Sequence, residues 1–338
     1  MKRRIGMLKI GMIGLNGMGQ THIGGWNSIE DAKIVCACDI HAETMTDDMK
    51  KADIHYYNNL DEMLNNEKID ILDVCTPSFL HKSHALTALN RGINVLCEKP
   101  ASLKPEDIDE MYDAAEKNHV KLMIAQVVRF WPEYLLVKNY LEEKKLGNIL
   151  DGYFWRIGRY PKWSMDNWML DEEKSGLVPY DLHIHDLDYV IFLLGMPQSV
   201  SANRSQLNEQ AVSDHFWANY HYAGCDIKIE SAWFQPPYPF SYGFRVLFEK
   251  GIIEYKDNTF TAYENGNEEP LKLDCTKIDN TGESIPDSSA YDREIRYFFD
   301  CVKNDEPVSI VNREEIKNVL TVIDKAVLSA EQNKTIEM

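Results

Sequence analysis

The chain is short of positive charge. Its 338 residues hold 36 Lys and Arg against 54 Asp and Glu, a formal net charge of −18. Nucleic acid and anionic membrane surfaces both demand a basic face, so neither is an expected partner. No apolar run is long enough to span a bilayer, and Lys9 interrupts the first one. Cysteine gives no framework either: there are seven, an odd number, without metal-ligand spacing. Cys36 and Cys38 fall on one face of an apolar segment, and Cys75 and Cys97 close two others, as small buried hydrophobes do in a reducing cytoplasm. Lys2-Arg3-Arg4 has no cleavable apolar segment behind it and is not read as an export signal. Internal repeats and low-complexity segments are missing as well.

What is present is an ordinary globular composition, 44% hydrophobic and 27% charged, at a length that suits two domains. The most informative run is Leu8 to Gly19. An apolar strand empties into Gly14-Leu15-Asn16-Gly17-Met18-Gly19 and then into a helical pattern starting near Gln20. A helix N-terminus gathers unpaired N–H groups that suit a diphosphate. Twenty residues past Gly19, a second strand ends in Asp39, whose carboxylate is placed to accept the ribose hydroxyls of an adenosine. Ile40 and His41 follow, with no Arg for a 2′-phosphate, so NAD is expected over NADP. Read as G-x-G-x-x-G, the run carries Asn16 at the middle glycine, which puts a side chain where backbone should approach the phosphates.

The first 125 residues alternate strand and helix. Strands are expected at Leu8–Ile13, Lys33–Cys38, Ile71–Cys75, Asn94–Cys97 and Lys121–Ala125, with helical patterns between them, including Ala42–Lys51 and Pro105–Asn118. Near-continuous apolar strands with crossover helices predict a doubly wound parallel sheet covered on both faces. After Arg129 the character changes. Helices are expected at Pro132–Lys145 and Pro179–Leu194, and an antiparallel pattern runs from Ser199 to Leu273. Helices return at Ser289–Lys303 and Arg313–Asn333. The predicted division is an α/β nucleotide-binding domain over 1–126 and an α+β domain with a large open, mostly antiparallel sheet over 127–338. That open sheet needs a cover, and self-association is the expected one.

Three islands carry the chemistry. Cys75-Thr76-Pro77-Ser78-Phe79-Leu80-His81 and Glu98-Lys99-Pro100 each stand at the carboxyl end of a strand, the edge at which doubly wound sheets bind ligands. Lys99 reads either as a functional group beside the nicotinamide half of a dinucleotide or as a solvated partner of Glu98. The third island is Tyr180-Asp181-Leu182-His183-Ile184-His185-Asp186-Leu187-Asp188. In a helix Asp181 and His185 are i and i+4 on one face, so the carboxylate orients an imidazole able to take a proton from an alcohol. Asp181 facing a helix dipole and core histidines are the plain alternatives. His183 and His185 would share a face only in a strand; in a helix they diverge by about 200°, so no metal is expected.

On Glu98-Lys99-Pro100, the Asp181-x-x-x-His185-x-x-Asp188 helix, the glycine turn, Thr76-Pro77 with His81, and Arg129-Phe130, the chain resembles the family of glucose–fructose oxidoreductase, inositol dehydrogenase and rhizopine-catabolism proteins. The resemblance covers nearly the whole chain. It implies a Rossmann domain, a sheet-rich C-terminal domain, and homodimers or homotetramers formed through that sheet. It implies a dehydrogenase of a sugar, glycoside or cyclitol, with Lys99, Asp181 and His185 catalytic and Thr76, Pro77, His81 and Glu98 near the cofactor. Lys99 and His185 are then expected at one nicotinamide ring. Asn16, His183 and Val128 depart from the family pattern. Arg129, Arg159, Trp163 and Tyr242 are the expected substrate contacts; Tyr160, Trp163 and Trp168 read equally as a sugar-stacking stretch or as packing. Two further functions remain open: glycoside cleavage through transient oxidation, and NAD sensing without turnover.

Overall fold

The computed structural model describes residues 6–41, 46, 49–50, 53–162, 164–207, 213–274 and 290–338. The chain divides into two compact units, Met1–Val127 with Ser288–Ile316, and Val128–Asp287 with Lys317–Met338. The expected helix Ala42–Lys51 lies largely outside the described residues.

The first unit is built on β1 (Leu8–Ile13), β2 (Ala32–Cys38), β3 (His55–Tyr57), β4 (Ile71–Val74), β5 (Asn94–Glu98) and β6 (Leu122–Ala125). All pairings are parallel, in the order β3-β2-β1-β4-β5-β6. This is the doubly wound order whose ligand crevice lies where the winding reverses, between β1 and β4. β4 and β6 are buried at every position, as strands covered on both faces must be. Crossovers run through α1 (Met18–Asn27), α2 (Leu60–Asn66), α3 (Ser78–Leu89) and α4 (Pro105–Lys117). Asn59 caps α2 by accepting from the Glu62 N–H at 2.9 Å, and α4 opens on Pro105 with Glu106 and Asp107 behind it.

The sequence reading assigned residues 288–316 to the second domain; they sit with the first unit. The reason is packing against α1. A Cβ at Gly25 would come within 2.4 Å of Ile295 Cδ1, so the missing side chain is what lets the helix at Ala290–Asn304 close on α1.

The second unit carries a nine-stranded sheet in which one central pair, Ile149–Arg159 (β7) with Cys225–Phe234 (β10), is parallel and the remaining pairs are antiparallel. Along Asp214–Tyr222 (β9) burial alternates residue by residue. Phe216, Ala218 and Tyr220 enter the core, while His215, Trp217 and Asn219 face outward with Tyr153 and Trp155 of β7. Helices Pro132–Glu142 (α5) and Ile184–Leu194 (α6) supply apolar faces to this unit's core. No helix among the described residues is long and apolar enough to cross a membrane.

Candidate active site

In the first unit the glycine turn is as tight as its composition suggests. Gly14 has φ +82°, and a Cβ there would stand 2.6 Å from the Cys75 carbonyl oxygen. At Gly19 a Cβ would fall 2.2 Å from the Gly14 carbonyl oxygen. Neither site admits a side chain, so β1 and α1 approach closely. No side chain caps the N-terminus of α1, whose positive end suits an anion; within its first turn Gly19 and Gln20 donate to the Asn16 and Gly17 carbonyl oxygens at 3.0 and 3.1 Å. These features fit a dinucleotide diphosphate. Asn16 is exposed and folds back, its Oδ1 accepting from the Gly17 N–H at 2.9 Å.

Asp39 does more than end β2. Its Oδ2 accepts from the Leu15 N–H at 2.8 Å and its Oδ1 from the His41 N–H at 2.9 Å. The carboxylate therefore latches the glycine turn and keeps acceptor capacity for hydroxyl donors. Asp39→Ser is expected to weaken NADH binding about tenfold to a hundredfold, the scale of charge-assisted hydrogen bonds, and to shrink discrimination against NADPH. Fluorescence titration with both nucleotides measures this; an unchanged preference would place the ribose elsewhere.

The other expected cofactor residues gather on the carboxyl side of β4 and β5. Thr76 Oγ1 lies 3.1 Å from His84 Nδ1, and burial pulls His84 down to about 4, so that ring is neutral. His81 is buried, with Nε2 2.6 Å from the Thr76 carbonyl oxygen and Nδ1 2.8 Å from that of Pro100. Its ring lies between the Thr76 and Pro100 carbonyl oxygens, one on each ring nitrogen. Glu98 Oε2 accepts from the Lys99 N–H at 3.0 Å, and Lys99 itself is half-buried.

Behind Glu98 lies a cluster that sequence reasoning missed. His22, Asp73 and Cys75 are buried, with potential ligand atoms within 4.8 Å of one another. These are metal-ligand types, but the atoms are already engaged. Asp73 receives hydrogen bonds from Trp26 Nε1 at 2.6 Å, His22 Nδ1 at 2.9 Å and Cys75 Sγ at 3.4 Å. The available signal was Asp73 itself, a charged residue inside the apolar strand Ile71-Leu72-Asp73-Val74.

In the second unit the helix expected over Pro179–Leu194 is two pieces, a wide π-turn at Pro179–His183 followed by α6. Such turns occur frequently at functional sites. Asp181 and His185 are half-buried, whereas His183, Ile184 and every residue from Asp186 to Ile191 are buried. The two groups singled out for chemistry thus stand on the accessible side of a core segment. His183 belongs to the core. Its Nε2 is 2.6 Å from the Tyr220 hydroxyl, its Nδ1 is 3.3 Å from Ser231 Oγ, and burial lowers it to about 3.

The remaining carboxylates of this segment are structural. Asp186 accepts from the Tyr134 hydroxyl at 2.7 Å and from Arg156 at 3.1 Å. Asp188 takes a bidentate hydrogen bond from Arg129 at 2.8 and 2.6 Å, and the guanidinium stacks 4.6 Å over Phe192. Arg129, expected at the substrate, is 1% exposed and held in this buried ion pair. Asp188→Ala would strand that cation, and unfolding stability should fall by about 3–5 kcal/mol. Urea denaturation followed by tryptophan fluorescence reads the loss; a change below about 1 kcal/mol would mean the pair is solvated.

Of the other expected substrate contacts, Tyr242 is half-buried, its hydroxyl donating to Glu133 at 3.1 Å and lying 3.0 Å from the Tyr255 hydroxyl. Arg159 is exposed, 5.9 Å from the Tyr160 ring centroid. Trp163 lies outside the described residues.

A doubly wound sheet with this turn is the architecture of a dinucleotide-binding unit, and the chain also carries a large mixed-sheet unit. Two family models fit that division. One, described as the oxidoreductase family with NAD-binding Rossmann fold, matches residues 8–126, and the other, the GFO/IDH/MocA C-terminal domain, matches 134–254. The chain belongs to this GFO/IDH/MocA oxidoreductase family, and NAD is the cofactor of its N-terminal fold. It is 31% identical over 183 residues to a 2,7-anhydro-N-acetylneuraminate hydratase of Mediterraneibacter gnavus, covering 54% of this chain and 48% of that one. It is 23% identical to the scyllo-inositol 2-dehydrogenase (NADP(+)) of Bacillus subtilis, over 99% of this chain and 97% of the other. The chain spans about half the length of the curated relatives that it matches above 30% identity, 43% and 48% for the first two. A solved levoglucosan dehydrogenase, in complex with NADH and levoglucosan, has the same fold with a TM-score of 0.86 at 19% identity, covering 98% and 99% of the two chains.

Proposed function

We propose that this chain is a dehydrogenase that moves hydride between a secondary hydroxyl of a sugar, glycoside or cyclitol and NAD. The observation that carries the reading is Lys99. It follows directly on β5, at the sheet edge that also presents the glycine turn and Thr76-Pro77. The names of the inositol dehydrogenase and levoglucosan dehydrogenase relatives support the substrate class.

Gly14 through Gly19 hold the diphosphate and Asp39 the adenosine ribose. Bound NAD supplies the hydride acceptor. Lys99 donates a hydrogen bond to the reacting oxygen and stabilises the charge that develops there. His185 takes the hydroxyl proton, and Asp181 orients the imidazole or holds a neighbouring hydroxyl. Much of the acceleration comes from orientation of the bound alcohol. A panel of cyclitols, hexoses, hexose phosphates and anhydrosugars, incubated with NAD and followed by absorbance of the reduced cofactor, tests the reading. NADH binding without turnover of any member would favour a sensing role instead.

The hydratase relative favours a second reading, in which a sugar derivative is altered with no net consumption of NAD. Product formed without accumulation of reduced cofactor distinguishes it.

The sheet of the second unit supports self-association. Tyr153, Trp155 and Trp217 lie on its outward face, with Leu247 and Tyr263 exposed at 39% and 45%. A homodimer or homotetramer through this face, working in the cytoplasm, completes the proposal. Light scattering at micromolar concentration should return a multiple of the 39.1 kDa chain mass, and Trp217→Glu should shift it to the monomer.

A further inference from the structure

The buried cluster behind Glu98 has a use that its cost demands. His22 and Asp73 are 0% exposed and Glu98 is 6% exposed. Burying ionised groups costs several kcal/mol each, and well-packed apolar side chains often serve stability as well or better. The arrangement is directional. Trp26 and Cys75 donate to Asp73; His22 Nδ1 meets Asp73 Oδ2 at 2.9 Å, and His22 Nε2 meets Glu98 Oε1 at 3.0 Å. The second Glu98 oxygen, Oε2, then accepts the Lys99 N–H at 3.0 Å. Each imidazole nitrogen faces a carboxylate, so with both carboxylates ionised each nitrogen carries a proton and the ring is an imidazolium between two anions.

The electrostatics agree. Burial is the largest influence and opposes charge on His22, but the charges and hydrogen bonds of Asp73 and Cys75 together raise the ring well above its ordinary value. Burial also pushes Glu98 upward, and the hydrogen bond and charge of His22, aided by Lys99 and His81, hold it below the ordinary carboxylate value. Removing His22 would leave two buried carboxylates facing each other and loosen Glu98.

Position completes the argument. His22 stands three residues past Gly19 on α1, the helix whose N-terminus fits the diphosphate. Glu98 ends β5 immediately before Lys99. One side chain thus connects the anion-holding helix to the proposed catalytic lysine, while His81 braces the Pro100 carbonyl on the other side of it.

We propose that His22 is a positioning residue for Lys99: through Glu98 it fixes the Lys99 backbone and couples it to the helix that holds the dinucleotide. The proposal rests on the catalytic reading of Lys99, and its test separates the two. Amide hydrogen exchange in uniformly ¹⁵N-labelled full-length chain reads the clamp without any substrate. His22→Asn should speed exchange of the Lys99 amide about tenfold, while the β5 amides of Val95 to Cys97 stay protected. Unchanged exchange at Lys99 would overturn the clamp, and uniform deprotection of β5 would reduce His22 to a core residue. The ¹⁵N shifts of the His22 ring in the unsubstituted chain at pH 7.5 give a reading that does not depend on any variant folding. Two protonated nitrogens are expected; a neutral tautomer would overturn the proposal. Lys99→Ala with full turnover would defeat the catalytic reading and leave both of these measurements standing.

Discussion

Lys99→Ala should leave NADH affinity within about threefold of the original and lower turnover about a thousandfold. The division follows from where each function sits. The dinucleotide is assigned to the Gly14–Gly19 turn and Asp39, which hold one another through the Leu15 N–H and the Asp39 carboxylate at 2.8 Å. The substitution touches neither. What it removes, on the proposed mechanism, is a cation aimed at an oxygen that becomes more negative as its O–H proton leaves. That interaction strengthens only on the way to the transition state, so its loss appears in kcat and hardly in binding. Turnover at the original rate would take Lys99 out of the mechanism. Lost NADH binding would reassign it to the cofactor.

His185→Asn is expected to cost about 10²–10⁴ in kcat, the usual contribution of a positioned acid–base group. The pH profile is the more diagnostic reading. In alcohol oxidation the neutral ring accepts a proton, so kcat/KM of the native chain must fall as the ring becomes protonated at low pH. The variant has no such group and its profile should lose that limb. In the reducing direction the limb lies on the alkaline side, because the protonated ring is then the active form. A variant that keeps the low-pH limb would assign it to another group. The half-burial of His185 among the buried residues 183–184 and 186–191 is what makes this side chain, rather than His183, the one to test.

Much of the fold was legible because its signals are local. Leu8–Ile13 was expected and observed with the same bounds, since an apolar run ended by an obligatory glycine turn leaves little freedom. The strand His55–Tyr57 was missed: three polar and aromatic residues at a sheet edge carry no periodicity to read. The helix at Ala290–Asn304 was assigned to the wrong unit because its partner is Gly25, more than 260 residues earlier, and a missing Cβ leaves no mark that says what fills the space. The π-turn at Pro179–His183 was invisible for a different reason, since the apolar positions that announce the helix, Ile184, Leu187, Ile191 and Leu194, all lie past it. The Arg129–Asp188 pair was not legible, because a lone arginine in a sequence looks the same whether or not a buried carboxylate awaits it. Near the candidate site, the His22–Asp73–Glu98 support required knowing that α1, β4 and β5 lie side by side.

The most direct test of the account is kinetic, on the substrate that the panel identifies. Lys99→Ala, His185→Asn and the double variant are compared in single turnover, with NADH affinity measured for each. Groups that serve one step on one carbinol act as a unit, so the double variant should be within about fivefold of the slower single variant. A double variant slowed by the full product of the two single effects would mean that the two side chains work independently, and the dehydrogenase mechanism set out for them would be wrong.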